Sequence, residues 1–171
     1  MKLETDLKTI KRLAEEREDE NWRFRTFLKQ CDNKEIDAIV HRLLEEIAPQ
    51  IDCSTCRNCC MELHPECDEA EIERLTGLLE LSKEEFKERY MVERGEGTFY
   101  IQGPPCPFLR EMRCTIEAAR PQGCRDYPYL HKEDFTFRLM AVVSNCAICP
   151  IVFNVYERLK KEVWHRRTQR R

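Results

Sequence analysis

The sequence predicts a mainly α-helical fold with a small β hairpin and a loop-rich cysteine segment, an α+β arrangement within one domain. Three observations carry this. Apolar residues recur at spacings of three and four near both ends of the chain, the period of a helix with one buried face. β-branched and aromatic residues gather at Thr98 to Ile101 and Phe135 to Val143, as in short strands that can pair with each other. Between these stretches, Gly103 to Pro128 is punctuated by proline and glycine and should be mostly loop. At 171 residues the chain can bury a real core but leaves no room for two large independent domains.

Taken in order, residues 3 to 30 place Leu3, Leu7, Ile10, Ala14, Phe24 and Leu28 on one helical face, interrupted by Arg17 and Asn21. The stripe is too short for a dimerising coiled coil and suits a helix packed on its own domain. Asp32 and Asn33 can cap a second helix whose apolar face is Ile36, Ile39, Val40, Leu43, Leu44 and Ile47, with Pro49 near its end. Asp68 can cap a short helix bearing Ile72, Leu75, Leu78 and Leu79, weakened by Gly77. Ser82 with Glu85 is a capping-box signature for the next, through Phe86 and Tyr90. Gly95 and Gly97 mark a turn before the first strand, a helical turn is expected near Ile116 to Ala119, and a long final helix runs from about Ile151 into a basic tail. The expected organisation is N-terminal helices over 1–50, a cysteine-rich domain over 51–150 and a C-terminal basic helix over 151–171.

The charged fraction of 36% with a net charge of only −3 describes a mixed surface that selects no polyanionic partner. The tail VWHRRTQRR, with Trp164, is read as a solvated helix end complementing the helix dipole, and nucleic acid is not an expected partner. No apolar run reaches the roughly 20 residues of a spanning helix, and the charged opening lacks the apolar core of a signal peptide. A cytoplasmic protein without membrane association is therefore expected.

Eleven cysteines dominate the chemistry. In a reducing compartment, and with an odd count, they read as metal ligands more readily than as disulfides. Cys53, Cys56 and Cys59 repeat a two-residue spacing that turns thiolates toward one ion, and Cys60 follows at once. Adjacent residues point in different directions, so Cys59 and Cys60 suit two metals, or two irons of one cluster, better than one tetrahedral ion. Cys106, Cys114 and Cys124 lie in the loop-rich segment, where a metal would order backbone that has little else to fix it. Cys146 and Cys149 form a further C-x-x-C followed by Pro150. These nine are the candidate ligands; Cys31 reads as a small buried hydrophobe, and Cys67, beside Pro65, is left open. His64 and His131 read as surface or hydrogen-bonding histidines. Arg120 and Arg125 flank Cys124 and either hydrogen-bond sulfur or pair with Asp126 or Glu117.

The run CSTCRNCC at Cys53 to Cys60, CPFL at Cys106 to Leu109 and CTIEAARPQGCRDYP at Cys114 to Pro128 together resemble the YkgJ-type cysteine-cluster family, whose CxxCxxCC domain is described as zinc- or iron-chelating and which includes flagellin lysine N-methylase. The likeness covers roughly residues 53 to 150. It departs at Asn58, where glycine is common, and at Glu117, where tyrosine is common; neither change removes a thiol. The resemblance implies a metal-stabilised domain and, through one member, metal-dependent lysine N-methylation, although the chain has only five glycines and no glycine-rich strand-to-helix turn for a methyl donor.

The spacing of the first run and the Cys149–Pro150 ending favour an iron–sulfur centre, a 4Fe–4S cluster above all, for electron transfer, redox sensing or cofactor chemistry. Zinc holding a structural or interaction module is the alternative. Metal ions and a protein or redox partner are the expected partners.

Overall fold

The apolar stripe near the N-terminus folds as two helices. In the computed structural model, which describes residues 2–165, α1 spans Leu7–Glu16, capped by Asp6, whose carboxylate accepts from Thr9 N at 2.8 Å. Arg17 leaves helical geometry (φ −103°, ψ 16°), and α2, Glu18–Leu28, starts with Glu18, Asp19 and Glu20 complementing its dipole. The break re-phases the stripe, so Asn21 turns inward and is buried beside Phe24 and Leu28. α3, Asn33–Ile47, is capped by Asp32 as predicted and buries Ile36, Val40, Leu43 and Ile47.

The chain divides into two units, each described by itself: residues 53–127, and a helical unit built from the segments on either side of them. The middle unit opens with two short helical turns, α4 (Cys53–Cys56) and α5 (Asn58–Glu62). β1 (Glu66–Cys67), α6 (Glu69–Leu79), α7 (Lys83–Tyr90), β2 (Met91–Glu93) and β3 (Phe99–Ile101) follow. The expected capping box of Ser82 with Glu85 forms on α7, and the Asp68 cap of α6 is itself a capping box, with Glu71. The three strands make an antiparallel sheet in the order β1-β3-β2, with Glu66 opposite Tyr100 and Val92 opposite Tyr100 on the other side. Gly95 (φ 80°) and Gly97 (φ 75°) supply the left-handed turn between β2 and β3. Thr98 to Ile101 supplies a hairpin strand as expected, but its partner is Met91–Glu93, where no strand was expected, and β1 extends the pair on the other side.

The loop-rich segment is more ordered than expected. It contains a second hairpin, β4 (Leu109–Arg110) with β5 (Arg113–Cys114), then the predicted turn at Glu117–Ala119, and α8 (Gln122–Asp126). Cys67, Ile72, Leu75, Phe86, Met91, Ile101, Phe108, Ile116 and Ala119 form this unit's core.

The strand expected at Phe135 to Val143 is instead a 3-10 turn, Phe135–Phe137, followed by α9, Leu139–Asn145. Exposure explains why. Phe135, Leu139 and Val142 are buried while Phe137 is 82% exposed, a helical period that strand alternation cannot produce. α3 also takes the donors a strand would have used: the Asp37 carboxylate accepts from Asp134 N and Phe135 N (2.8 and 2.9 Å), and Asn33 Oδ1 accepts from Thr136.

α10, Pro150–Leu159, starts with proline in its first turn and is the most buried helix of its unit. It passes into a π-helical turn over Lys160–His165. Lys160, only 1% exposed, donates to Glu20, Asn21 and Glu157 at 2.8, 2.9 and 2.5 Å, and the Tyr156 hydroxyl donates to the Asn21 carbonyl. All three ammonium protons thus have acceptors, the condition for burying a charge. Most of the basic tail, residues 166–171, lies outside the described residues. Among those described, no single helix is long and apolar enough to cross a membrane.

Candidate metal centre

The C-x-x-C-x-x-C-C run becomes two helical turns hinged at one residue. Cys53 and Cys56 begin and end α4; Cys59 and Cys60 sit on α5. Between them Arg57 adopts a left-handed conformation (φ 48°), uncommon for a residue with a side chain, with its N–H bonded to Cys53 O and its carbonyl accepting from Cys60 N. Its guanidinium folds back to donate to Ser54 O at 2.9 Å, and the residue is only 9% exposed. A buried cation therefore sits inside the thiol run.

Three other elements bring thiols to Cys60. Cys106 N donates to Cys60 O at 2.8 Å, which lays the loop after Gly103 against α5. That loop needs glycine: Gly103 has φ 135°, and a Cβ there would lie 2.6 Å from Pro105 O. Cys114 stands on β5, opposite Leu109. Cys124 stands on α8, whose first residue is held from α6: Glu71 Oε1 accepts from Gln122 N at 2.6 Å, while its other oxygen accepts from Asp68 N at 3.0 Å.

Electrostatics show that these thiols share one environment. Donation from the Cys59 thiol, opposed by burial and aided by the Arg57 and Arg120 cations, brings Cys60 down to about 6, which favours the thiolate. Burial raises Cys106 against a backbone hydrogen bond at Phe108, and the nearby Cys60 and Cys114 raise it further. Burial pushes Cys124 up to about 12 despite Arg120, with Cys106, Cys60 and Cys114 adding to the rise. Cys67 is also raised to about 12, by burial first and then by Glu71 and Cys124. Cys106 and Cys124 therefore both lie within the field of Cys60 and Cys114, and burial favours the neutral thiol in each. Among the described residues no three His, Cys, Asp or Glu side chains already stand at metal-holding positions. The thiols are gathered without forming a finished cage. An all-sulfur donor set fits zinc or iron, both of which take thiolates.

The other predicted residues are placed as follows. Cys146 caps the C-terminus of α9 and Cys149 the N-terminus of α10, both buried in the helical unit, and burial raises the Cys146 thiol strongly. Cys31 belongs to the same unit, its thiol 3.6 Å from Phe27 O. His64 Nδ1 lies 3.3 Å from Ile101 O, tying it to β3, and His131 is exposed. Arg120 lies 3.7 Å from Glu117, the ion pair expected as the alternative, and donates to the Cys124 backbone carbonyl at 3.2 Å instead of to sulfur. Arg125 instead donates to the backbone carbonyls of Arg120 and Ala118, stapling the turn before Cys124.

Sequence reasoning missed Arg57, Gly103 and Glu71. The capping-box pattern reveals Glu71's partner three residues away but not one on α8.

A thiol-rich loop segment, threaded through a small α+β unit that gathers cysteines from the run, a loop, a hairpin and a short helix, defines a metal-chelating domain. The chain belongs to the CxxCxxCC family, whose model, described as a "Putative zinc- or iron-chelating domain", matches residues 52–149. Comparison with curated proteins and with solved structures gives no match.

Proposed function

We propose that the chain binds a polynuclear iron–sulfur centre, of the 4Fe–4S type, and serves electron transfer, redox sensing or cofactor chemistry together with a protein partner. The observation carrying this reading is Cys60, which takes a hydrogen bond from the adjacent Cys59 thiol and, with Cys114, acts electrostatically on Cys106 and Cys124. More thiols gather there than one tetrahedral ion takes. The proposed ligands are drawn from Cys53, Cys56, Cys59, Cys60, Cys106, Cys114 and Cys124, with Cys146 and Cys149 as a further pair. Arg57 and Arg120 offset the negative charge that thiolates bring to such a centre. When bound, the cluster supplies one-electron chemistry whose potential depends on nearby charge and hydrogen bonds. The proposed location is the cytoplasm, where thiols stay reduced.

A zinc-stabilised module is the second reading. It rests on Cys60, Cys106, Cys114 and Cys124 alone supplying the four thiols of a closed structural site. Anaerobic purification followed by iron, sulfide and zinc analysis separates the two. Brown protein with iron and acid-labile sulfide in comparable amounts is expected, with iron lost on Cys124→Ser. Colourless protein with stoichiometric zinc and no sulfide overturns the iron–sulfur reading.

A further inference from the structure

The β4–β5 hairpin sits beside the thiols and is built against its own stability. Its two-residue turn, Glu111 and Met112, has φ 46° and 60°, left-handed at both positions. Such turns favour Asn-Gly because side chains crowd that conformation. Arg110 and Arg113 stand directly opposite each other across the strands, and like charges so placed repel. Both are exposed, and among the described residues neither pairs with a carboxylate. Met112 at the tip is 48% exposed. Two cations without a salt-bridge partner, the exposed Glu111 carboxylate between them and an exposed thioether thus ride on a strained turn, a local conflict of the kind that persists where a function needs it.

We propose that this hairpin is a docking element for an acidic segment of a partner protein, which it brings to the cysteine centre. A carboxylate-bearing segment laid across the paired strands would accept from both guanidinium groups, converting their repulsion into shared attraction. Met112 supplies an adaptable apolar contact for a neighbouring side chain of the same segment. The net charge of −3 on the whole chain disfavours an extended polyanion such as nucleic acid, whereas a short acidic peptide needs only this local cationic spot. Position supplies the rest. β5 ends in Cys114, and Leu109 at the start of β4 donates to Cys106 O, so a docked partner stands next to two of the gathered thiols. The proposal holds for iron or zinc.

The test uses metal-loaded full-length protein and a fluorescent short peptide of glutamate and leucine, followed by anisotropy at low ionic strength. Wild type is expected to bind with an affinity that falls as salt rises. R110Q/R113Q should weaken binding at least tenfold with metal content unchanged. R113E, which creates an opposite-charge pair across the strands, should abolish binding yet raise the thermal midpoint; M112G should also raise the midpoint while weakening binding severalfold. Peptide affinity within twofold of wild type in R110Q/R113Q overturns the proposal. So does full displacement by inorganic phosphate, tighter binding to an oligonucleotide than to the peptide, or arginine-dependent self-association in place of peptide binding. Metal loss in R110Q/R113Q with no arginine-dependent peptide binding would assign the hairpin to the centre's architecture and overturn the docking role while leaving the metal reading intact.

Discussion

Replacing Glu71 tests whether the centre is held from below by a single carboxylate. The residue is only 6% exposed, so its lost partners cannot be fully replaced by water. One oxygen caps α6 by accepting from Asp68 N, and the other accepts from Gln122 N at the start of α8. Hydrogen bonds to a charged group contribute about 1.5–3 kcal/mol each, and Arg74, 3.8 Å away and half exposed, adds little. Glu71→Ala should therefore cost about 3 kcal/mol. With a urea dependence near 1.5 kcal/mol per molar, that lowers the unfolding midpoint by about 2 M. Glu71→Gln keeps one acceptor oxygen and turns an N–H₂ toward the other donor, so it should cost about half as much. Urea unfolding followed by circular dichroism, together with chelator competition for metal, gives both readouts. Glu71→Ala should also release metal faster, because α8 carries Cys124. A loss below about 0.5 kcal/mol in Glu71→Ala, or equal costs for the two variants, would refute the reasoning.

Gly103→Ala should destabilise the protein by about 2 kcal/mol or more, because the new Cβ meets the Pro105 backbone at 2.6 Å and φ is 135°. Gly95→Ala, with positive φ but open space around it, should cost only about 1 kcal/mol; equal midpoint shifts would mean that crowding is not the cause. Tyr156 gives a pH signature. Burial first, and then Cys146, raise its pKa well above the usual phenol value, so the fold favours the neutral form. The stabilisation is complete below about pH 10 and is lost as pH climbs beyond it. Phenolate absorbance should show one late ionisation coinciding with alkaline unfolding, and Tyr156→Phe should remove it. An early, reversible titration that Tyr156→Phe removes would contradict the burial.

Much of the site was legible because its signals are local. Two-residue cysteine spacings, Asp and Ser caps and paired glycines each act within one turn of chain, and the caps, the Gly95–Gly97 turn and the strand at Phe99–Ile101 stand where they were read. What escaped depends on partners distant in sequence. Phe135 to Val143 has strand-like composition, yet Asp37 and Asn33, about a hundred positions away, take its backbone donors and turn it helical. Arg57 looks like any surface cation in the sequence; only its left-handed backbone and burial mark it as the hinge of the run. Glu71 declares its cap but not its hold on α8, because nothing local connects it to Gln122.

The helical unit is assembled from two separated stretches of chain, residues 1–52 and 128–171, with the cysteine unit written between them. On a ribosome this imposes an order. α1, α2 and α3 emerge first but lack α10, whose buried residues complete their core, and they wait with Ile10, Phe24 and Val40 uncovered. The cysteine unit is released whole while they wait, so its thiols meet the cell's metal supply before the flanking unit can close. Units of a chain generally fold as they are completed; here the first unit to be completed is the one that needs an ion. Metal scarcity during synthesis would thus leave the cysteine unit without its ion before the chain that completes the helical unit has been made.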